Sequence, residues 1–111
     1  MKGYANNNDM APAWIVETPY IYNTTMTVAN TQYSQLLPAG CKKIKVSVQG
    51  GVSTDTYRIA YVTGKVATPT VPYLSLACDK EYTVDNLNLA ATTIYFACSA
   101  ISKVLQIEAW V

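Results

Sequence analysis

The sequence predicts one all-β domain, a β-sandwich or jelly-roll-like fold of about seven or eight antiparallel strands. From residue 24 onward, apolar and polar residues alternate with a period of two, which is typical of half-buried strands. Turn-forming residues recur at the spacing of about 8–12 residues that sandwiches show. A helical period with capping residues is not found in any segment. These observations together predict a strand-dominated domain spanning residues 24–111.

The clearest strand lies at 41–49, where Ile44, Val46 and Val48 point to one face and lysine and serine residues point to the other. Residues 36–40 predict a turn. The lysines are expected to form the solvated face of the strand and to protect a sheet edge. Further strands are predicted at 25–30, 56–63, 73–78, 92–98 and 103–111, and short strand or loop pieces at 81–84 and 87–89.

Residues 1–23 differ in character and predict an irregular N-terminal arm. The polar Asn6-Asn7-Asn8 run, Pro12 and Pro19 disfavour regular structure. Flexible tails normally lack aromatic residues, yet this segment is rich in apolar anchors. The residues predicted to form an interface are Tyr4, Trp14, Ile15, Tyr20 and Tyr22. The arm is expected to dock either on its own domain or on a neighbouring copy.

The composition indicates a protein that associates with other proteins. Half of the residues are hydrophobic and only 14% are charged, against about 25% in typical domains. Such a surface resists association poorly, so a partner is expected to cover part of it. The net charge of +1 and the scattered basic residues argue against nucleic acid as a partner. No apolar run is long enough to span a bilayer, so no membrane partner is expected.

Few residues suited to catalysis or metal binding are present. The chain has no histidine, the commonest general base and metal ligand. Cys41, Cys78 and Cys98 lack zinc-type spacing and are expected to be buried free thiols. The acids between Asp79 and Asp85 lie in a turn-rich stretch, where acids commonly initiate turns. We therefore expect no catalytic residues, no metal site and no cofactor, and a protein that is not an enzyme.

The aromatic residues suggest an interface or a sugar-binding face, because the chain has nine Tyr and two Trp against one Phe. Tyr and Trp suit surfaces that are partly dry and partly wet. For Tyr57, Tyr61, Tyr73 and Tyr95, core or cross-strand packing is the simpler interpretation.

Residues 36–111 resemble small bacteriophage virion proteins. The matching segments are Leu37-Pro38-Ala39-Gly40-Cys41-Lys42-Lys43-Ile44-Lys45-Val46, Tyr57-Arg58-Ile59-Ala60-Tyr61, Tyr82-Thr83-Val84-Asp85-Asn86-Leu87, Thr93-Ile94-Tyr95-Phe96 and Ile107-Glu108-Ala109-Trp110. The resemblance implies a capsid decoration, or cement, protein whose partners are the major capsid protein or other virion proteins. It also implies a homo-oligomer, with a trimer favoured, and arms that reach neighbouring subunits.

The location implied is the virion, after synthesis in the cytoplasm of the host bacterium. An alternative function in a different class stays open. In it the chain is a head-fibre or tail component that recognises a host-surface glycan or an adaptor protein.

Overall fold

The computed structural model describes residues 18–111. This part of the chain forms eight β-strands and no helix. The strands are β1 (Tyr20–Met26), β2 (Tyr33–Leu37), β3 (Lys43–Gln49), β4 (Thr56–Ala60), β5 (Leu74–Ala77), β6 (Tyr82–Val84), β7 (Thr92–Cys98) and β8 (Lys103–Trp110). Within these residues, no helix meets the length and hydropathy that crossing a membrane requires.

The strands form two antiparallel four-stranded sheets. Sheet I has the order β1-β8-β3-β6, and sheet II has the order β2-β7-β4-β5. Because β3 pairs on both sides, the expectation that its lysines protect a sheet edge is wrong. The chain crosses between the sheets after β1, β2, β3, β5, β6 and β7, so most sequence neighbours lie in opposite sheets. Two four-stranded sheets connected in this way form a jelly roll. The predicted fold class is therefore confirmed.

Period-two patterning places the core between the two sheets. In β8, Leu105, Ile107 and Ala109 are buried, while the residues between them remain half-exposed. The side chains of Ile44 and Val46 from β3 lie on the same inner face. Fully burying an aliphatic side chain of this kind stabilises the fold by about 1.5–3 kcal/mol. Strand periodicity alone thus accounts for the main core.

A second, smaller apolar cluster lies on the outer face of sheet II. Val66, in the connection between β4 and β5, is fully buried against Ala60 and Ala97. Tyr73 and Tyr95 pack at its margin. This connection, residues 61–73, therefore covers part of the outer face of sheet II, which leaves sheet I as the sheet with the more open outer face.

Arg58 lies beneath the same connection. Arg58 is only 8% exposed. The Nε atom donates to the Val66 carbonyl at 2.6 Å, and Nη2 donates to Asn30 Oδ1 at 2.8 Å and to the Ala67 carbonyl at 3.4 Å. Neutral oxygens thus replace the water that this buried cation loses, and they fasten the connection to the sheet.

Several strand boundaries differ from the sequence-based predictions. β1 begins at Tyr20, so the predicted boundary between arm and domain at residue 23 falls inside a strand. Residues 27–30, predicted as strand, form a turn in which Asn30 adopts a φ of 52°. The prediction failed because Met26 and Val28 share the strand period, whereas only Met26 is buried. Asn tolerates this left-handed conformation better than most residues.

β2 was missed, because Leu37-Pro38-Ala39-Gly40 was taken as the end of a turn that began at Leu36. The strand runs up to Leu37, and the turn is confined to the residues that follow it. Residues 87–89, predicted as a short strand or loop piece, form only an isolated bridge, between Leu89 and Cys41. Such short pieces have too few ladder partners to be recognised from sequence.

Candidate interaction surface

The predicted interface residues fall into two groups. Tyr4, Trp14 and Ile15 lie outside the described residues, so the structure does not place them. Tyr20 and Tyr22 lie on β1, with ring centroids 6.5 Å apart in a stacked arrangement. Their register opposite Ala109 and Ile107 places both on the inner side of sheet I.

The two tyrosines differ in burial along this edge. Tyr22 packs against the core, whereas Tyr20 remains 50% exposed. Burial, followed by the proximity of Tyr20, raises the pKa of Tyr22 above its usual 10.0. At the edge of the inner face of sheet I, the described residues therefore leave half of the Tyr20 side chain exposed.

β1 and β2 are edge strands that lie together at one side of the sandwich. Within residues 18–111, β1 pairs with β8 alone and β2 pairs with β7 alone. The two strands are also in contact with each other, and the Val28 amide between them donates to the Tyr33 hydroxyl at 3.0 Å. The outward backbone groups of both strands thus face the same direction as a pair of open edges.

This β1–β2 side carries no protection by charge. From Thr18 to Cys41 the sequence contains no charged residue. Natural proteins usually defend sheet edges with lysines, prolines or bulges. Here large apolar side chains are exposed instead, namely Tyr20, Ile21, Val28 and Leu36 at between 50% and 63%. An unprotected edge flanked by exposed apolar groups favours association with another chain.

The opposite side of the sandwich, formed by β5 and β6, is different. Its connecting residues Asp79, Lys80 and Glu81 are all charged and exposed. Glu81 also makes an ion pair at 3.2 Å with Lys45 of the neighbouring strand β3. The fold therefore separates a charged edge from an uncharged one.

Sequence analysis missed Val28 and Leu36 as members of this surface. Leu36 was assigned to a turn, and Val28 was assigned to a strand at 25–30. The absence of charge from residue 18 to residue 41 was the signal that would have found them, because it spans both edge strands and their connection.

The acids between Asp79 and Asp85 form no recognisable active site. Asp79, Glu81 and Asp85 are all exposed. Asp85 accepts a hydrogen bond at 3.2 Å from Asn86, which has a φ of 58°, and this agrees with a role in turns. Among residues 18–111, no group of three or more potential metal ligands is found.

The three cysteines are buried free thiols, and their predicted burial is confirmed. The sulfurs of Cys78 and Cys98 lie 3.6 Å apart. Cys78 follows β5 and Cys98 ends β7, and β4 lies between these strands. The separation of the two sulfurs exceeds the ~2.05 Å of a disulfide bond, so the two cysteines are present as thiols in contact.

Comparisons with protein-family models, with curated proteins and with solved structures found no match.

Proposed function

We propose that this chain is a non-enzymatic virion structural protein that decorates or cements a phage capsid. The proposal is supported mainly by the β1–β2 side, where two uncharged edge strands expose Tyr20, Ile21 and Leu36. The segment that precedes β1 contributes Trp14 and Ile15 as further apolar anchors. A surface of this kind is suited to contacts between subunits.

The physical mechanism is strand addition combined with anchoring by the arm. Backbone groups on an open edge pair with an extended segment of another chain, and side chains at alternate positions give specificity. A stable interface buries about 800 Å² on each partner, more than one edge strand supplies. The N-terminal segment adds the missing area, and symmetric repetition across a lattice multiplies modest contacts.

The proposed partners are the major capsid protein or other virion proteins, and copies of this chain in a trimer. The jelly roll occurs in viral capsid and lectin domains, and this agreement is one of fold alone. The proposed location is the virion, with synthesis in the cytoplasm of the host bacterium.

A single substitution tests the role of the β1–β2 side. Leu36→Lys places a charge on edge strand β2, at a side chain that is 57% exposed, and lysines block strand addition. Sedimentation velocity should show a shift toward monomer, with the thermal midpoint unchanged within a few degrees. The matched control is Val71→Lys, because Val71 is 78% exposed but lies between β4 and β5. Equal oligomer sizes for the two variants would contradict the proposal.

Copy number distinguishes decoration from a fibre or tail role. In purified particles that contain this protein, quantitative gel staining should find hundreds of copies, as expected for a subunit bound across a capsid lattice. A count of a few to tens would instead favour the head-fibre or tail alternative.

A further inference from the structure

A depression of about 270 Å³ lies on the outer face of sheet I. Its lining comes from three adjacent strands and consists of Ile21, Lys45, Ser47, Gln106 and Glu108. The strand register arranges these residues in two rows across the sheet. Ser47 lies opposite Gln106 in one row, and Glu108 lies between Ile21 and Lys45 in the other.

We propose that this depression is a binding site for a neutral saccharide unit. This site borders the β1–β2 side and shares Ile21 with it, but its four polar side chains lie on β3 and β8. The proposal therefore does not depend on the role in assembly. The argument rests on the types of polar group that meet there, on their charge balance and on the rigidity of the strands that hold them.

The polar groups match the needs of a sugar ring. Vicinal hydroxyls both donate and accept hydrogen bonds, so a site needs acceptors and donors close together. The Glu108 carboxylate accepts, the Lys45 ammonium donates, and the Gln106 amide and Ser47 hydroxyl do both. Ile21, which is 63% exposed, offers an apolar contact to the C–H face of the ring.

The charge balance disfavours other ligand classes. The Lys45 ammonium lies 3.2 Å from Glu81 and 3.9 Å from Glu108, so one cation faces two carboxylates. An anion such as a phosphate group gains no net attraction there, and a metal ion is repelled by the ammonium between the two acids. An apolar ligand would cover the Ser47 hydroxyl and the Gln106 amide without pairing them. An uncharged polyhydroxylated ligand fits best.

The strands that carry these groups are the rigid ones. β8 and β3 are the central strands of sheet I, and each pairs with neighbours on both sides. Binding groups on central strands hold their geometry better than groups on loops. The volume of about 270 Å³ lies below the ~300–1,000 Å³ typical of sites for drug-sized ligands, which suits one sugar ring.

An aromatic neighbour extends the site along β8. Trp110 is two residues after Glu108 and therefore lies on the same face of the strand. The Lys43 ammonium lies over its ring at 5.1 Å from the centroid, which holds the indole in place. A second sugar ring in an oligosaccharide would meet this aromatic group.

Nuclear magnetic resonance of the isotope-labelled full chain tests the proposal with four defined probes. These are D-glucose, D-galactose, N-acetyl-D-glucosamine and L-rhamnose. At least one should shift the backbone amide signals of Lys45, Gln106 and Glu108 first, with a Kd of about 1–10 mM, as expected for a few hydrogen bonds at an open site. No shift with any of the four sugars, or shifts confined to other parts of the domain, would overturn it.

Two glutamines on the same face provide a matched pair of variants. Gln106 lines the depression, whereas Gln49 lies opposite Val104 outside it. Gln106→Ala should weaken sugar binding at least about threefold by removing hydrogen bonds, and Gln49→Ala should leave it unchanged. Glu108→Gln, a nearly isosteric change, should also weaken binding. Equal Kd values for all three variants and the unmodified protein would refute the site.

Discussion

Each sheet carries a cationic side chain on the outer face of a central strand, and the two cations lie in opposite environments. On sheet II, Arg58 is 8% exposed and is held by neutral oxygens beneath the β4–β5 connection. On sheet I, the Lys45 side chain is 38% exposed and faces two carboxylates across open surface. The first cation fastens a loop to the core, whereas the second stays accessible to a ligand.

In this jelly roll the outer face of sheet II has a structural role, whereas the outer face of sheet I is left open for binding. Residues 61–73 bury the charge of Arg58 as they cover sheet II, and a buried charge needs fixed partners. Leaving sheet I open requires no such partners, and its side chains remain free to exchange contacts with solvent and ligands. Three stability measurements can break or sharpen this comparison.

The largest effect is expected from Arg58→Ala. It removes hydrogen bonds to the Val66 and Ala67 carbonyls and to Asn30, and bonds to charged groups contribute about 1.5–3 kcal/mol each. Urea denaturation should show a loss of about 3 kcal/mol or more. Lys45→Ala, on the open face, should cost less than about 1 kcal/mol, because exposed ion pairs contribute little. Similar losses for the two variants would remove the distinction between the faces.

A smaller effect is expected from two valines of the same connection. Val66 is fully buried and Val71 is 78% exposed. Val66→Ala should cost about 2 kcal/mol, because it opens a cavity in the outer cluster. Val71→Ala should change stability by less than about 0.5 kcal/mol. If the two variants unfold at the same urea concentration, residues 61–73 do not cover sheet II as described.

Alkaline pH should lower the free energy of unfolding by a smaller amount than these substitutions, through two groups on the sheet II side. Burial, followed by Cys78 and Glu81, raises the pKa of Tyr57 from 10.0 to about 12. Burial, followed by the hydrogen bond with Cys98, raises the pKa of Cys78 from 9.0 to about 12. Both groups favour the folded state while protonated, so their contribution is complete below pH 9 and is lost as the pH rises toward 12.

Thermal unfolding across this pH range measures the effect. The melting temperature should stay level from pH 7 to about 9 and then fall. Tyr57→Phe removes the hydroxyl that donates to the Lys80 carbonyl at 2.7 Å, so it should lower stability at neutral pH by about 1 kcal/mol. Its decline above pH 10 should be shallower than that of the unmodified protein. Parallel declines would show that Tyr57 does not contribute.

The sequence predicted the strands that are long and central. β3, β7 and β8 carry several period-two positions, so their buried faces could be identified from alternation alone. Edge strands were harder, because the exposed Ile21 and Leu36 interrupt the alternation that burial produces. This explains why the start of β1 was assigned to the arm and why β2 was missed.

The surfaces were less predictable than the strands. Tyr20 and Tyr22 were identified as interface residues from composition, but their position on an edge strand depends on pairing with β8. Ile21 and Glu108 both line the depression on sheet I, although they are far apart in the sequence. Only the pairing register of β1 and β8 brings them together. The burial of Arg58 depends on Val66 and Asn30, which no local pattern connects to it.

Removing residues 1–18 tests most directly the claim that this chain assembles through its N-terminal segment and the β1–β2 side. The strands begin at Tyr20, so the shortened protein should keep its β-type circular dichroism and its melting temperature. Sedimentation velocity should show that it has lost the oligomer or the capsid binding of the full chain, because the anchors Trp14 and Ile15 are gone. A shortened protein that assembles and binds with full affinity would contradict the account.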